Sequence, residues 1–204
     1  MVLFGGVVHA QTNAMPQTDS FYNKKDTLSK VTYGVKVGAN FSQLQGADIF
    51  TKGYTPGVAG GLFVASTRKK WGIAAEGMVS TAKYNLQTIP SDSLKISYFN
   101  IFYADVAVLV EFEVVPKIWI QVGPEISLLM SVSKSPSGGL DPGNYFQSRN
   151  FAGAGGVEAQ VLKHFNVGGR YLYGFTDIKS QIAPLSNSAW MTSAIHVYVG
   201  YRFK

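Results

Sequence analysis

Nine ionisable side chains fall on one face of an alternating pattern: Lys36, Glu76, Asp105, Glu111, Glu125, Glu158, Arg170, His196 and Arg202. Five are acidic, three are basic and one is a histidine. Two kinds of chemistry fit such a set. Enclosed charges that pair and hydrogen-bond make a closed polar plug, with Arg170 and Arg202 forked between carboxylates. The same residue types along an open bore make a proton or ion pathway. A narrow enclosing wall favours the plug.

Covalent catalysis is the other possibility to weigh. The chain has no cysteine, so a nucleophile would have to be Ser or Thr, usually with a histidine base. The three histidines are dispersed: His9 in an apolar leader, His164 at a turn, His196 mid-strand and facing inward. That layout opposes a catalytic set and a histidine metal site alike. The glycine-rich GAGG at 153–156 lies in a strand and lacks the Lys-Ser/Thr of a phosphate loop. The sequence therefore predicts no enzyme, no catalytic residue, no metal and no cofactor.

A period of two from Thr32 onward positions these groups. In 117–131 the even positions Ile118, Ile120, Val122, Pro124, Ile126, Leu128 and Met130 form one face. The odd positions Gln121, Gly123, Glu125, Ser127 and Ser131 form the other, with Trp119 and Leu129 as exceptions. The same alternation marks 32–42, 98–112, 164–176 and 190–204, and more weakly 56–66, 71–83 and 150–161. These are eight predicted strands. The connections alternate: long at 43–55, 84–95, 132–149 and 178–189, short at 67–70, 113–116 and 162–163. An up-and-down antiparallel meander follows.

Composition decides what the apolar face meets. Of 204 residues 46% are hydrophobic and only 15% charged, below the roughly 25% usual in soluble domains. The body has no apolar run of about 18 residues, so no helix spans a membrane. A soluble lipocalin-like barrel would hide its apolar side chains. The aromatics argue for lipid instead. Tyr33, Trp71, Phe112, Phe165, Tyr201 and Phe203 fall at the short-turn end of the apolar face, and Phe41, Phe102, Phe151, Tyr173 and Phe175 toward the long-loop end. Two such bands are the girdles of a bilayer. The predicted fold is all-β: an eight-stranded antiparallel up-and-down transmembrane β-barrel in an outer membrane, surrounded by its lipid.

The formal net charge is +6. It gathers at the short-turn end in Arg68, Lys69, Lys70, Lys117 and Lys163, a basic collar for anionic phosphates or a periplasmic protein partner. The basic residues form no stripe with interleaved aromatics, which opposes nucleic-acid binding. At the other end the long loops are the natural surface for an extracellular partner. Tyr145, Phe146 and Arg149 in the 132–149 loop are the candidate contacts. Val2–Val8 is a short apolar run, and the small residues Val8 and Ala10 predict a signal peptide over 1–10, without a basic leader. Residues 11–31 read as a polar periplasmic lead-in and 32–204 as the barrel.

Five segments resemble the PorT-like outer-membrane β-barrel proteins of Bacteroidetes: GVKVGANFSQL (34–44), YADVAVLVEF (103–112), IQVGPEISLLMS (120–131), GRYLYGFTDI (169–178) and HVYVGYRF (196–203). Ala107, where the family often has proline, and the final Lys204 depart from the pattern. The resemblance implies an eight-stranded barrel and no single activity, with a link to secretion in one branch only. The role expected is a non-enzymatic membrane scaffold or interaction protein displaying four external loops. The alternatives are a narrow transport channel and, behind it, a barrel enzyme acting on lipid or peptide.

Overall fold

Alternating side chains oblige each strand to present one face to each environment, and closing the sheet leaves no unpaired edge. The computed structural model describes residues 29–45, 53–88, 95–135, 146–179 and 189–203. They form eight strands: β1 (Lys30–Gln45), β2 (Thr55–Arg68), β3 (Trp71–Thr88), β4 (Lys95–Val115), β5 (Ile118–Ser135), β6 (Arg149–Gln160), β7 (Phe165–Gly174) and β8 (Met191–Arg202). Each pairs with its sequence neighbour, and β8 returns antiparallel to β1, closing the barrel. The expected all-β up-and-down barrel is what forms.

The expected faces hold along most of the wall. Val37, Val58, Leu62 and Met130 are more than 60% exposed on the outside, whereas Lys36, Glu76, Glu158 and Arg170 are buried within. The short-turn girdle is continuous over three strands. Phe165 meets Tyr201 at 5.1 Å, Tyr201 meets Phe203 at 5.5 Å, and Phe203 meets Tyr33 at 5.8 Å. Trp71 leans on Phe112 at 4.7 Å further round. At the other end Tyr173 and Phe175 lie 5.7 Å apart.

Three differences from the expected boundaries have physical causes. First, β3 and β4 stay paired as far as Thr88 and Lys95, so the connection expected at 84–95 shrinks to 89–94. Second, β4 runs to Val115, so the turn expected at 113–116 sits at Pro116-Lys117 instead. Pro at the first corner and a left-handed Lys117 (φ 71°) at the second are the pattern of a type II turn. The Lys117 amide donates to Glu113 Oε1 at 2.9 Å. Third, Phe102 pairs with Ser131 and Tyr103 with Leu129, so Met130 is the extra residue of a bulge. The period inverts there. Ser131, expected on the inner face, is exposed, and Val132 packs inward.

A left-handed backbone costs a non-glycine residue about 1–2 kcal/mol. Lys117→Gly is therefore expected to stabilise the barrel by about 1 kcal/mol, less the entropy that glycine adds to the unfolded chain. A rise in the urea midpoint of the detergent-folded protein is the readout.

Candidate functional site

The lumen is filled, and the filling comes in layers. Toward the short-turn end lies a charged network drawn from six strands. Lys36 on β1 sits between two carboxylates, donating to Glu76 Oε1 and Glu158 Oε2 at 2.7 Å each. Its ammonium rests 4.5 Å above the Tyr198 ring and 5.0 Å from that of Phe63. Arg170 on β7 forks onto Glu76 through both terminal nitrogens, at 2.8 and 2.9 Å. It also donates to Gln121 Oε1 at 3.1 Å and lies 4.0 Å from Glu125. Arg202 on β8 donates to Glu158 at 2.8 Å and lies over the Trp119 ring at 5.3 Å, at the mouth. Each charge reaches a partner far away in sequence, so the network forms only when the barrel closes.

Neutral groups complete it. Asn166 and Tyr198 donate to Glu158, and Tyr198 also donates to Gln121. Gln121 in turn donates to Glu111 at 2.6 Å. Gly168 makes room for this. A Cβ there would stand 2.4 Å from the Tyr198 ring, so only glycine lets the phenol lie flat toward Glu158. Tyr198, Gln121 and Asn166 are absent from the charged set that the sequence singles out. Their signal was available, because each occupies an inward position in its strand's alternation.

Small side chains, Ala65, Ala74, Ala107 and Ala154 with Leu109 and Leu172, form a separate buried apolar cluster. A separate cavity of about 40 Å³ is lined by Asp105, Glu125, His196, Asn40 and several serines. That is room for about three water molecules at most. Ser80 donates its hydroxyl to Asp105 at 2.6 Å. The structure thus divides the predicted ionisable set. Lys36, Glu76, Glu111, Glu158, Arg170 and Arg202 join through hydrogen bonds, while Asp105 and His196 lie apart, on the cavity. Glu125 borders both. Among the described residues no group of three or more His, Asp and Glu side chains gathers as a metal site.

The long-loop mouth is closed by an apolar cluster. Leu44, Tyr84, Phe99, Ile101, Tyr103, Phe146, Ile178 and Trp190 pack together, with Leu129 and Val132 against them. Three connecting segments hold this cover in place. Gln147 N–H donates to Ile178 O at 2.8 Å, and Ile178 N–H to Trp190 O at 2.9 Å. The Asp177 carboxylate accepts the amides of Lys179 and Trp190. Phe146 is therefore inside, not on the surface: it meets Phe99 at 5.6 Å and Trp190 at 6.1 Å. Arg149 is exposed at the start of β6, and Tyr145 lies outside the described residues. In the collar, Arg68, Lys69, Lys70, Lys117 and Lys163 are all exposed around the short turns.

A closed antiparallel barrel with an apolar outer band, two aromatic girdles and a polar interior defines an outer-membrane β-barrel protein. The chain belongs to the outer membrane protein beta-barrel domain family, whose model matches residues 9–180. Strand β8, which closes the barrel, lies beyond that match. Neisserial surface protein A is similar in fold at a TM-score of 0.51, with 13% identity over 85% of this chain and 99% of that one. Ail, the attachment invasion locus protein of Yersinia pestis, solved with the heparin analogue sucrose octasulfate, gives 0.46 at 12% identity over 85% and 99%. OprG of Pseudomonas aeruginosa gives 0.48 at 12% over 86% and 97%. No curated protein matches the chain. The protein is an outer-membrane barrel in a lipid environment.

Proposed function

We propose that the protein is a non-enzymatic scaffold that acts through its outer surfaces and not through its lumen. One observation carries this reading: the lumen is closed twice, by the ion-pair network and by the apolar cover. What remains for interaction is the four external connections, with Arg149 and Tyr145 as candidate contacts for an extracellular partner, and the periplasmic collar. Phe146 serves the cover and offers no surface contact.

A channel is the second reading, favoured by the charged interior. Planar-bilayer recordings separate the two. The scaffold is expected to give no steady conductance, and a stable open current overturns it. The barrel enzyme has less support. The small cavity does hold serines, a histidine and carboxylates, but it has room for only about three waters and is covered from outside. Ser80 gives its proton to Asp105.

Within the family, the five strand motifs support the PorT-like Bacteroidetes grouping. The apolar run at 2–8 supports a signal peptide over 1–10, followed by a periplasmic lead-in; residues 1–28 lie outside the described ones. The exposed collar residues support contact with headgroup phosphates or with a periplasmic protein.

A further inference from the structure

The outer face of the barrel carries a cavity of about 310 Å³ at the level of the periplasmic girdle, about ten times one water's share of the liquid. Ser66, Arg68, Trp71, Gly72, Ile73 and Val110 line it. The register explains its shape. Arg68 pairs with Trp71, Ser66 with Ile73, and Ile73 with Val110, so these side chains make two adjacent rows across β2, β3 and β4. Trp71 tilts onto Phe112, and Ser66 is the small residue of its row. A hollow opens over Ser66, with apolar walls and Arg68 at its periplasmic lip. Toward the membrane interior β3 continues with Ala75 and Gly77, and open space surrounds the position of a Cβ at Gly77.

The chemistry of the two ends differs, and so must the occupant's. Ile73 and Trp71 are about 60% exposed in the bilayer-facing band, where an acyl chain is the available apolar partner. Arg68 is followed by Lys69 and Lys70, and among the described residues Arg68 has no ion-pair partner. The nearby acid, Glu113, already accepts the Lys117 amide. We infer that this hollow is a binding site for one anionic phospholipid of the periplasmic leaflet, its acyl chain against Trp71, Ile73 and Val110 and its phosphate on Arg68. The site rests on the reading of the collar as a headgroup contact and gives it a defined ligand and position.

Trp71 makes the site measurable. Of the three tryptophans, Trp119 lies under Arg202 inside the barrel and Trp190 is in the cover, so Trp71 alone faces lipid. The full chain is reconstituted with phosphatidylglycerol or phosphatidylcholine brominated on an acyl chain, and Trp fluorescence quenching is read. Brominated phosphatidylglycerol is expected to bind about fivefold more tightly at Trp71, the effect of one basic side chain at an anionic surface. Arg68→Gln is expected to abolish that preference. Ser66→Leu fills the hollow, keeps every collar charge and is expected to abolish it as well. Equal quenching by the two lipids in the unaltered protein overturns the site. A preference that survives Ser66→Leu overturns the hollow as its cause. The collar is tested separately: joint neutralisation of Arg68, Lys69 and Lys70 is expected to weaken binding to anionic liposomes. No change there overturns the collar reading, whatever the quenching result.

Discussion

Lys36→Met is expected to destabilise the barrel by about 3–5 kcal/mol, the usual cost of removing one partner from a buried ion pair. The change is nearly isosteric, so little of the loss is packing. Lys36 bridges Glu76 and Glu158 at 2.7 Å each, and both carboxylates are almost wholly buried. Without the ammonium, Glu76 keeps its fork from Arg170 and Glu158 keeps Arg202. The lumen is then left with a net charge one unit more negative than before. Adding Glu158→Gln removes that charge, since Gln is close in shape. The double variant is expected to be less destabilised than the sum of the two single variants by at least about 2 kcal/mol. Urea unfolding of the detergent-folded protein, followed by its gel mobility before and after heating, measures all three. Additive losses would mean that the three side chains do not act as one unit.

The second large effect is expected at the opposite end. Trp190 is 1% exposed, and truncating a buried Trp to Ala costs about 3–5 kcal/mol. The loss falls on the cover rather than on the wall. Trp190 anchors the segment whose carbonyl accepts Ile178 N–H, and Ile178 O in turn accepts Gln147 N–H. Trp190→Ala is expected to loosen all three segments together, so that trypsin cuts after Lys179 faster while the strands stay protected. Conductance is expected to remain absent, because the ion-pair network still closes the lumen below. A current appearing in this variant would mean that the network does not seal.

These two sites were unequally legible in the sequence. The network's charges stood out because a charged residue on the polar side of a period-two segment has one place to go in a narrow barrel. Tyr198, Gln121 and Asn166 occupy the same face but carry no charge, so the alternation alone does not separate them from the small and polar residues around them. The cover was hidden for a different reason. Phe146 lies in a predicted loop and Trp190 at the very start of an alternating segment, and an aromatic in such a place reads as surface until its contacts are known. Asp177 behaves likewise, since one of the two amides it accepts, that of Trp190, reaches it from across a connection. At Met130 the alternation was present but misleading, because one inserted residue reversed the faces of Ser131 and Val132. The length of β3 and β4 is not legible in the sequence, because polar residues around Lys95 have the pattern of a loop, although pairing alone can extend a hairpin beyond the bilayer.

That extension sets a standoff distance. From Phe102 in the outer aromatic band, β4 climbs seven residues to Lys95, still paired with β3. At a strand's rise and a barrel's tilt this is a height of about 18 Å. Strands β6, β7 and β8 span only 12, 10 and 12 residues, against 18 for β3 and 21 for β4. The barrel therefore has a parapet on one side and a low sill on the other. A large partner approaching along the membrane from the β3–β4 side would meet this paired hairpin before the lipid surface, so the strands themselves give the rim a direction without a single specific contact.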